Sequence, residues 1–563
     1  MEKTSSQKRS SFLSGAGILT LSALVVKIIG LFYRIPLLNL LGTEGMGYFN
    51  TAYELYALFC VISTAGLPVA MSVLISALEA EGRDAEGKRV FRVSLVLFAV
   101  VGCLGTMLLW GLSAPLAALL GSPLSAACMR AISPTVFFIC LSSAFRGYFQ
   151  GRRRMLPTAL SQVMEACGKL FLGLAFAGFA LGRGESLPTA AAYAVLGLTV
   201  GTALSVLYLW GQKILSDRRE RTSVLNPNVM GSGPSAPAAI LRRLLSIAIP
   251  VTVSAGLVSL TKCIDLTLIL RRLQNVGYTS SEATSLYGCY STLVLPVFNI
   301  LPSLTTSVAL SATPALSAAL QKGKDGVSEL KKTVSSALGI ILTLSIPAAL
   351  GLSVFAEDIL TLLFRGQPDA VAQATPWLSC LGLSVPFACL ITLTGAMLQA
   401  AGKAQKPIIS MLCGVTVKIA VAYVLLGREG WGMAGAPVSS LLCDAVILTC
   451  NLILISKYAP SMLPSSRTCL SLVGIPAAGG ILAVSATKML RSVLGWQSVT
   501  SLHTLATVIC TACLYGGWIL TTLLLGKQIP TYRIKETNHE QADQRTAGQK
   551  RPLPAGKDHS LYL

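Results

Sequence analysis

The residues of this chain that could do chemistry are ionisable groups set inside long apolar runs. Lys27 and Arg34 stand in the first run and Glu54 in the second. Glu165 and Lys169 share a later one, Lys262 and Asp265 another, and Lys418 and Asp444 lie in two more. In hydrocarbon such groups cost several kcal/mol unless they face water or a partner. The spacing of Lys27 and Arg34 is almost two helical turns, which puts both on one face about 10 Å apart. Neither has an acidic residue within one turn on its own helix, so both read as cavity-lining groups for an anion. Arg can grip phosphate through two hydrogen bonds, and Lys supplies a compact charge.

Glu165 and Lys169, four apart, can pair along one helix face, which leaves Lys169 as either a structural partner or a cavity residue. Asp265 either pairs with Lys262 or binds Na⁺ or a proton, as intramembrane carboxylates do in transporters. The candidate substrate contacts are therefore Lys27, Arg34, Glu54, Lys169 and Lys262, with Asp265 as the candidate ion-coupling group. Apart from Arg34, the intramembrane bases Lys27, Lys169, Lys262 and Lys418 balance the acids Glu54, Glu165, Asp265 and Asp444, so counting alone does not establish an anionic substrate. Tyr48, Tyr53, Tyr56, Tyr287 and Tyr290, with Asn50 and Asn299, could hydrogen-bond sugars; anchoring at the membrane interface explains the tyrosines equally well.

Enzymatic signals are weak. The chain has no GxxxxGK[ST] loop and no soluble insert large enough for a catalytic domain. Cys510 and Cys513 form a CxxC inside an apolar run, which reads as packing. Three histidines without a Cys/His cluster give no support to zinc. The expectation is a transporter, not an enzyme. It would need no cofactor beyond a coupling Na⁺ or H⁺ and would draw on an ion gradient, the membrane potential or the substrate's own gradient.

The elements that must position these charges are membrane helices. Of the 563 residues, 53% are hydrophobic and 12% charged, with mean hydropathy +0.67; soluble proteins carry about 25% charged residues. The spans read as Phe12–Tyr33, Gly47–Ala77, Arg89–Trp110, Leu124–Phe149, Leu156–Leu181, Leu187–Trp210, Leu244–Leu270, Thr284–Leu320, Thr333–Phe355, Ala374–Gln399, Pro407–Leu426, Met433–Ile455, Cys469–Leu490 and Leu502–Leu525. Each is long enough to cross a layer of about 30 Å. The second and eighth are too long for a straight crossing and contain Gly66 with Pro68, and Pro296 with Pro302, where bends are expected.

The net charge of +21 is an address on the membrane rather than a nucleic-acid footprint. Most of the 45 Lys and Arg residues fall in the tails and in alternate loops, for example Arg152–Arg154, Arg218 with Arg219 and Arg221, and Lys322 with Lys324, Lys331 and Lys332. That bias places both termini in the cytoplasm, with the chain in the cytoplasmic membrane and its first span uncleaved.

The body is duplicated. Lys27-Ile-Ile-Gly30 is echoed by Lys262-Cys-Ile-Asp265, and Tyr48 by Tyr287. Val69-Ala-Met-Ser72 recurs as Val308-Ala-Leu-Ser311, and Gln150 and Lys169 as Gln399 and Lys418. Each matched feature falls in the same numbered helix of its half, so the halves are parallel repeats with a site between them. The fold expected is an all-α polytopic membrane protein of about fourteen helices. It comprises an N-lobe at 1–210, a cytoplasmic linker at 211–243 and a C-lobe at 244–456. Helices thirteen and fourteen lie within 457–526, and a disordered basic cytoplasmic tail fills 527–563.

At this point a family resemblance enters. Ser14-Gly-Ala-Gly-Ile, Lys27-Ile-Ile-Gly-Leu-Phe-Tyr-Arg-Ile-Pro36, Gly42-Thr-Glu-Gly-Met-Gly47 and Gly66-Leu-Pro-Val-Ala-Met-Ser72 carry it. The chain resembles the stage V sporulation protein B and polysaccharide-transporter group of the multidrug/oligosaccharidyl-lipid/polysaccharide exporter superfamily, which is related to the lipid II flippases. The resemblance implies two six-helix lobes that open alternately to each side of the membrane. It also implies a substrate that is a lipid-linked peptidoglycan precursor or a related polyprenyl-diphosphate sugar, with membrane lipids and cell-wall synthesis enzymes as partners. In the flippases, basic residues of helix one line an anionic-substrate cavity. Lys27 matches one such position, and Arg34 lies one residue beyond the second, which Tyr33 occupies here. The last two helices imply an apolar groove for the lipid tail. The competing expectation is a Na⁺- or H⁺-coupled multidrug/cation antiporter of the same superfamily, with Glu54 or Asp265 as its coupling group.

Overall fold

The computed structural model describes residues 2–223, 237–428, 430–494 and 501–524. Within the expected linker, residues 224–236 lie outside that set, as does the expected tail. The described residues are helical and contain no strand. In chain order the α-helices are α1 (Glu2–Val61), α2 (Leu67–Ala80), α3 (Asp84–Gly111), α4 (Ser113–Leu120), α5 (Ala126–Gly151), α6 (Met155–Gly182), α7 (Leu187–Ser223), α8 (Pro237–Asn275) and α9 (Ser280–Cys289). They continue as α10 (Leu295–Gln321), α11 (Val327–Val354), α12 (Ala356–Leu363), α13 (Pro368–Gly382), α14 (Val385–Ala400), α15 (Lys406–Leu425), α16 (Gly435–Tyr458), α17 (Ser466–Val493) and α18 (Ser501–Leu524).

Twelve helices among the described residues are long and apolar enough to cross a membrane, and α13 with α14, joined at a 45° bend, make a thirteenth if the pair is one span. One of the twelve, Leu21–Val61, holds most of the first expected span and the first half of the second. Gly42 interrupts α1 with φ 63° and ψ −176°, a conformation open essentially only to glycine. The two arms fold back on each other. The rings of Tyr33 and Phe49 lie 6.1 Å apart, whereas that stretch of straight helix would separate them by about 24 Å. Every span expected from the sequence thus meets a helix. The first one runs past Tyr33 and through Pro36, because a proline inside a membrane helix is tolerated where neighbours re-satisfy its backbone.

The bends expected near Pro68 and Pro296 have a common form. A π-helical turn, Ile62–Gly66 or Tyr290–Val294, immediately precedes each Leu-Pro pair. A proline has no N–H and crowds the preceding turn. Widening that turn relieves the crowding, and the Thr64 hydroxyl donates to the Cys60 carbonyl at 2.9 Å. The helix bends without leaving a gap in its bonding.

Close packing between α6 and α7 rests on small residues. Gly197 and Gly201 form a GxxxG on α7, and a Cβ at either position would strike the backbone of Gly173 or Gly168 on α6. Hydrocarbon supplies no hydrophobic drive between helices, so close backbone approach is a main source of their attraction.

Contacts divide the chain into two compact units. One comprises Met1–Ile300, Phe355–Leu381 and Met411–Val446; the other comprises Leu301–Val354, Gly382–Ser410 and Ile447–Leu563. In the first, α2, α3 and α5 pack a core around Met71, Phe98, Tyr148 and Phe149. In the second, α11 packs against α14 and α17 around Leu342 and Leu472, and the Tyr515 hydroxyl of α18 donates to the Thr343 carbonyl at 2.8 Å.

Gly201→Leu should lower the melting temperature of the purified protein by several degrees, since overpacking costs about 1–3 kcal/mol. Gly178→Leu on α6, where a side chain meets open space, should leave it nearly unchanged. Equal melting of the two variants would refute the glycine-mediated contact.

Candidate functional site

The first compact unit brings the second arm of α1 against α9 at a crossing too tight for any side chain. A Cβ at Gly47 would overlap the Thr284 carbonyl, and one at Gly288 would overlap the Thr43 carbonyl. Polar bonds stitch the crossing. Thr43 and Ser285 share a hydrogen bond of 2.7 Å. The buried Asn50 amide donates to the hydroxyls of Ser291 at 2.9 Å and Thr292 at 2.8 Å. Both hydroxyls belong to the π-turn at Tyr290–Val294, so the widened turn has a partner in place. Arg34, on the first arm of α1, donates from Nη1 to the Ser291 carbonyl at 2.6 Å.

Beside that arginine stands a caged lysine. Lys169 Nζ lies 4.4 Å from the ring centre of Tyr53, 5.2 Å from Tyr33 and 5.5 Å from Phe49. Phe49 and Tyr53, one turn apart, stack at 6.1 Å with an interplanar angle of 10°. The electron-rich faces stabilise the ammonium by about 0.5–2 kcal/mol per good contact. Gly168, the preceding residue, faces Gly201, so the tight α6–α7 seam sets the depth at which Lys169 enters the cage. Arg34 and Glu165 are within electrostatic reach of Lys169, and Glu54, Tyr53 and Tyr287 within reach of Arg34.

Two expected pairings are corrected. Glu165 does not bond to Lys169 on its own helix; its carboxylate takes Arg146 of α5 at 2.9 Å, and Arg146 Nε also donates to Ser161 at 2.9 Å. Tertiary packing presents a guanidinium that can bond both groups, and it outcompetes a same-helix lysine already held by rings. Asp265 does not bond to Lys262 but to Lys418 of α15, at 2.9 Å. Lys262 is exposed, whereas both members of the Asp265–Lys418 pair are largely buried. The buried Tyr290 ring packs edge-on against Trp377, with centroids 6.3 Å apart.

Of the sequence-derived candidates, the fold brings Arg34, Glu54 and Lys169 together. Asp265 is tied up with Lys418. Lys27 and Lys262 are exposed and form no ion pair among the described residues. Sequence reasoning missed the aromatic cage and Arg146. The cage left a signal, two aromatics four residues apart in a membrane helix, and Arg146 left one as an ionisable group inside the expected span Leu124–Phe149.

One end of this unit is capped in detail. The C-terminal carbonyls of α4 receive side chains from α8 and α9. Arg271 donates to Leu119 at 3.1 Å and Ala118 at 2.5 Å, and Gln274 to Gly121 at 2.5 Å. Ser280 donates to the same Gly121 carbonyl at 3.1 Å. These are the orphan acceptors that every helix end must satisfy.

The polysaccharide biosynthesis protein family matches residues 12–320, more than half of the chain. The chain belongs to that family. The MatE family also matches residues 282–424, in the second half of the repeat. Among curated proteins of Bacillus subtilis, the stage V sporulation protein B is 25% identical over 84% of this chain and 89% of its own length. The lipid II flippase MurJ is 26% identical over 93% of this chain and 98% of its own. Of solved structures, a lipid II flippase MurJ in an inward closed conformation superposes with TM-score 0.65 at 13% identity, covering 90% of this chain and 98% of that one. An inward-facing multidrug resistance MATE family transporter of the MOP superfamily gives 0.59 at 16% identity, covering 79% and 98%. These structures share the fold. This member of the polysaccharide biosynthesis family is a multi-pass membrane protein.

A double-mutant cycle on Asp265→Asn and Lys418→Gln, read by thermal or denaturant unfolding in detergent, should give a coupling of about 1–3 kcal/mol, as contacting charged pairs do. Each single change should cost more than the double, because each leaves one buried charge unpaired. Simple additivity would contradict the pairing.

Proposed function

We propose that this chain translocates a lipid-linked precursor, a polyprenyl diphosphate carrying a cell-wall or polysaccharide sugar and resembling lipid II, across the cytoplasmic membrane. The observation that carries the reading is the juxtaposition of Arg34 and Lys169. Arg34 donates to a backbone carbonyl, and Lys169 is stabilised by rings rather than by a carboxylate. Both keep donors that a diphosphate could take, with the fork of Arg34 suited to two phosphate oxygens. Lys27, almost two turns along the same helix and exposed, extends the basic face. The phenols of Tyr53 and Tyr287 stand near Arg34 and could serve the sugar.

In this reading the headgroup enters the site while the polyprenyl tail stays in lipid, so that neither part is transferred into the wrong solvent. No covalent bond changes, and the chain acts as a carrier, not an enzyme. With the N-terminus on the cytoplasmic side, as the Lys and Arg distribution indicates, Gly42 and the Gly47–Gly288 crossing belong to the far side. Release there requires the crossing to part, together with the bonds from α8 and α9 to α4. The Asp265–Lys418 pair is a natural place for coupling, since a proton or Na⁺ at Asp265 would release Lys418. A second reading, cation antiport, is favoured by the MatE match over residues 282–424; the commitment of Asp265 to Lys418 weighs against a cationic substrate there.

Purified protein in liposomes, with a fluorescent lipid-linked peptidoglycan precursor in one leaflet, tests the reading. The native chain should move the precursor to the other leaflet. Lys27→Ala with Arg34→Ala, and separately Lys169→Gln, should slow transfer by at least about tenfold, the cost of losing one charge-assisted contact. If the native chain moves no precursor but exports a cationic dye against a Na⁺ or proton gradient, the antiport reading replaces this one.

A further inference from the structure

Within the second compact unit, the ends of α10, α14 and α16 meet around an open cavity of about 500 Å³, lined by Ser317, Leu320, Gln321, Gly402, Tyr458 and Ser461 among others. The size falls within the range of small-molecule sites. Its rim is basic. Lys403 and Lys406 each hold Nζ 5.4 Å from the centre of the Tyr458 ring, and Lys457 holds its own at 5.7 Å. Three ammonium groups gather around one aromatic ring, and no ion pair among the described residues includes any of them. A ring quadrupole attracts each cation but does not cancel their mutual repulsion, which an anion placed among them would.

The location narrows the anion. The three helix ends carry their basic loops on the face that the charge bias assigns to the cytoplasm, next to the ends of membrane-length helices. Lysine is a phosphate binder through point charge, and lysines near an anionic leaflet each strengthen attraction to it. The Ser317 and Ser461 hydroxyls and the Gln321 amide add neutral donors on the cavity wall. Arg34, Lys169 and Lys27 all belong to the first unit, so this site is separate from the one described above and does not depend on the translocation reading.

We propose that this cavity binds the phosphate of an anionic phospholipid headgroup, neutralised by Lys403, Lys406 and Lys457 over Tyr458. Inorganic phosphate shares that chemistry and is the alternative source.

The test is native mass spectrometry of the full-length protein in detergent, titrated with phosphatidylglycerol, phosphatidylcholine or inorganic phosphate. The triple variant Lys403→Gln, Lys406→Gln, Lys457→Gln should retain phosphatidylglycerol about tenfold less well than the native chain, since each lysine contributes to the attraction. Ser317→Trp, which fills the cavity and keeps the lysines, should lose it too. The variant Lys331→Gln with Lys332→Gln, on α11 and not among the cations around Tyr458, should match the native chain, and phosphatidylcholine should bind no variant preferentially. Melting curves check that all variants are folded. Phosphate that displaces phosphatidylglycerol from the native chain, and does not bind the triple variant, would assign the same site to the soluble anion. Equal phosphatidylglycerol retention by the triple variant and the Lys331/Lys332 control would overturn the proposal.

Discussion

The crossing of Gly47 and Gly288 governs the rest of the candidate site. Two backbones approach there so closely that neither glycine can carry a side chain. That contact fixes the distance between segments from the two halves of the sequence repeat. It brings Asn50 to the π-turn at Tyr290–Val294 and lets Arg34 reach the Ser291 carbonyl. Were the crossing looser by one methyl group, the short polar side chains that stitch it would no longer span it. The preference for serine and threonine at this place follows, because small hydroxyls bond without holding helices apart.

Charge placement obeys a second constraint. In a medium poor in water, each ionised group needs a partner, and the chain supplies three kinds. Arg146 and Glu165 form an ion pair between helices, and Asp265 with Lys418 forms another. Lys169 relies on aromatic faces, and Arg34 on a backbone carbonyl. The difference matters for function. A lysine locked to a carboxylate has its charge neutralised, whereas ring faces and a carbonyl dipole hold a cation in position while leaving its net charge available to an incoming anion. This is why Lys169 and Arg34, rather than Lys418, are placed at the head of the proposed substrate site.

Much of the fold was legible in the sequence. Apolar runs gave the helices because a span must be long, continuous and self-bonded to cross hydrocarbon. Pro68 and Pro296 announced the bends, although not that a π-turn would make them. Gly42 falls between the first two expected spans, but only its positive φ in the structure shows it as the break. Partnerships between helices were not legible. Glu165 is four residues from Lys169 and nineteen from Arg146, yet it chose Arg146; sequence spacing reports neighbours along one helix, not across two. Asp265 likewise passed over Lys262 for Lys418. The aromatic cage was half visible, since Phe49 and Tyr53 share a face by spacing, but Tyr33 joins them only because α1 folds back at Gly42.

The central claim is that the Gly47–Gly288 crossing is a closure that must part during transport. It is tested most directly by replacing Thr43 and Ser285, whose hydroxyls lie 2.7 Å apart, with cysteines in a background lacking the exposed native ones. Oxidation should join the pair and stop movement of a fluorescent lipid-linked precursor in liposomes, and reduction should restore it to the rate of the unoxidised variant. Undiminished transport by fully cross-linked protein would contradict the account.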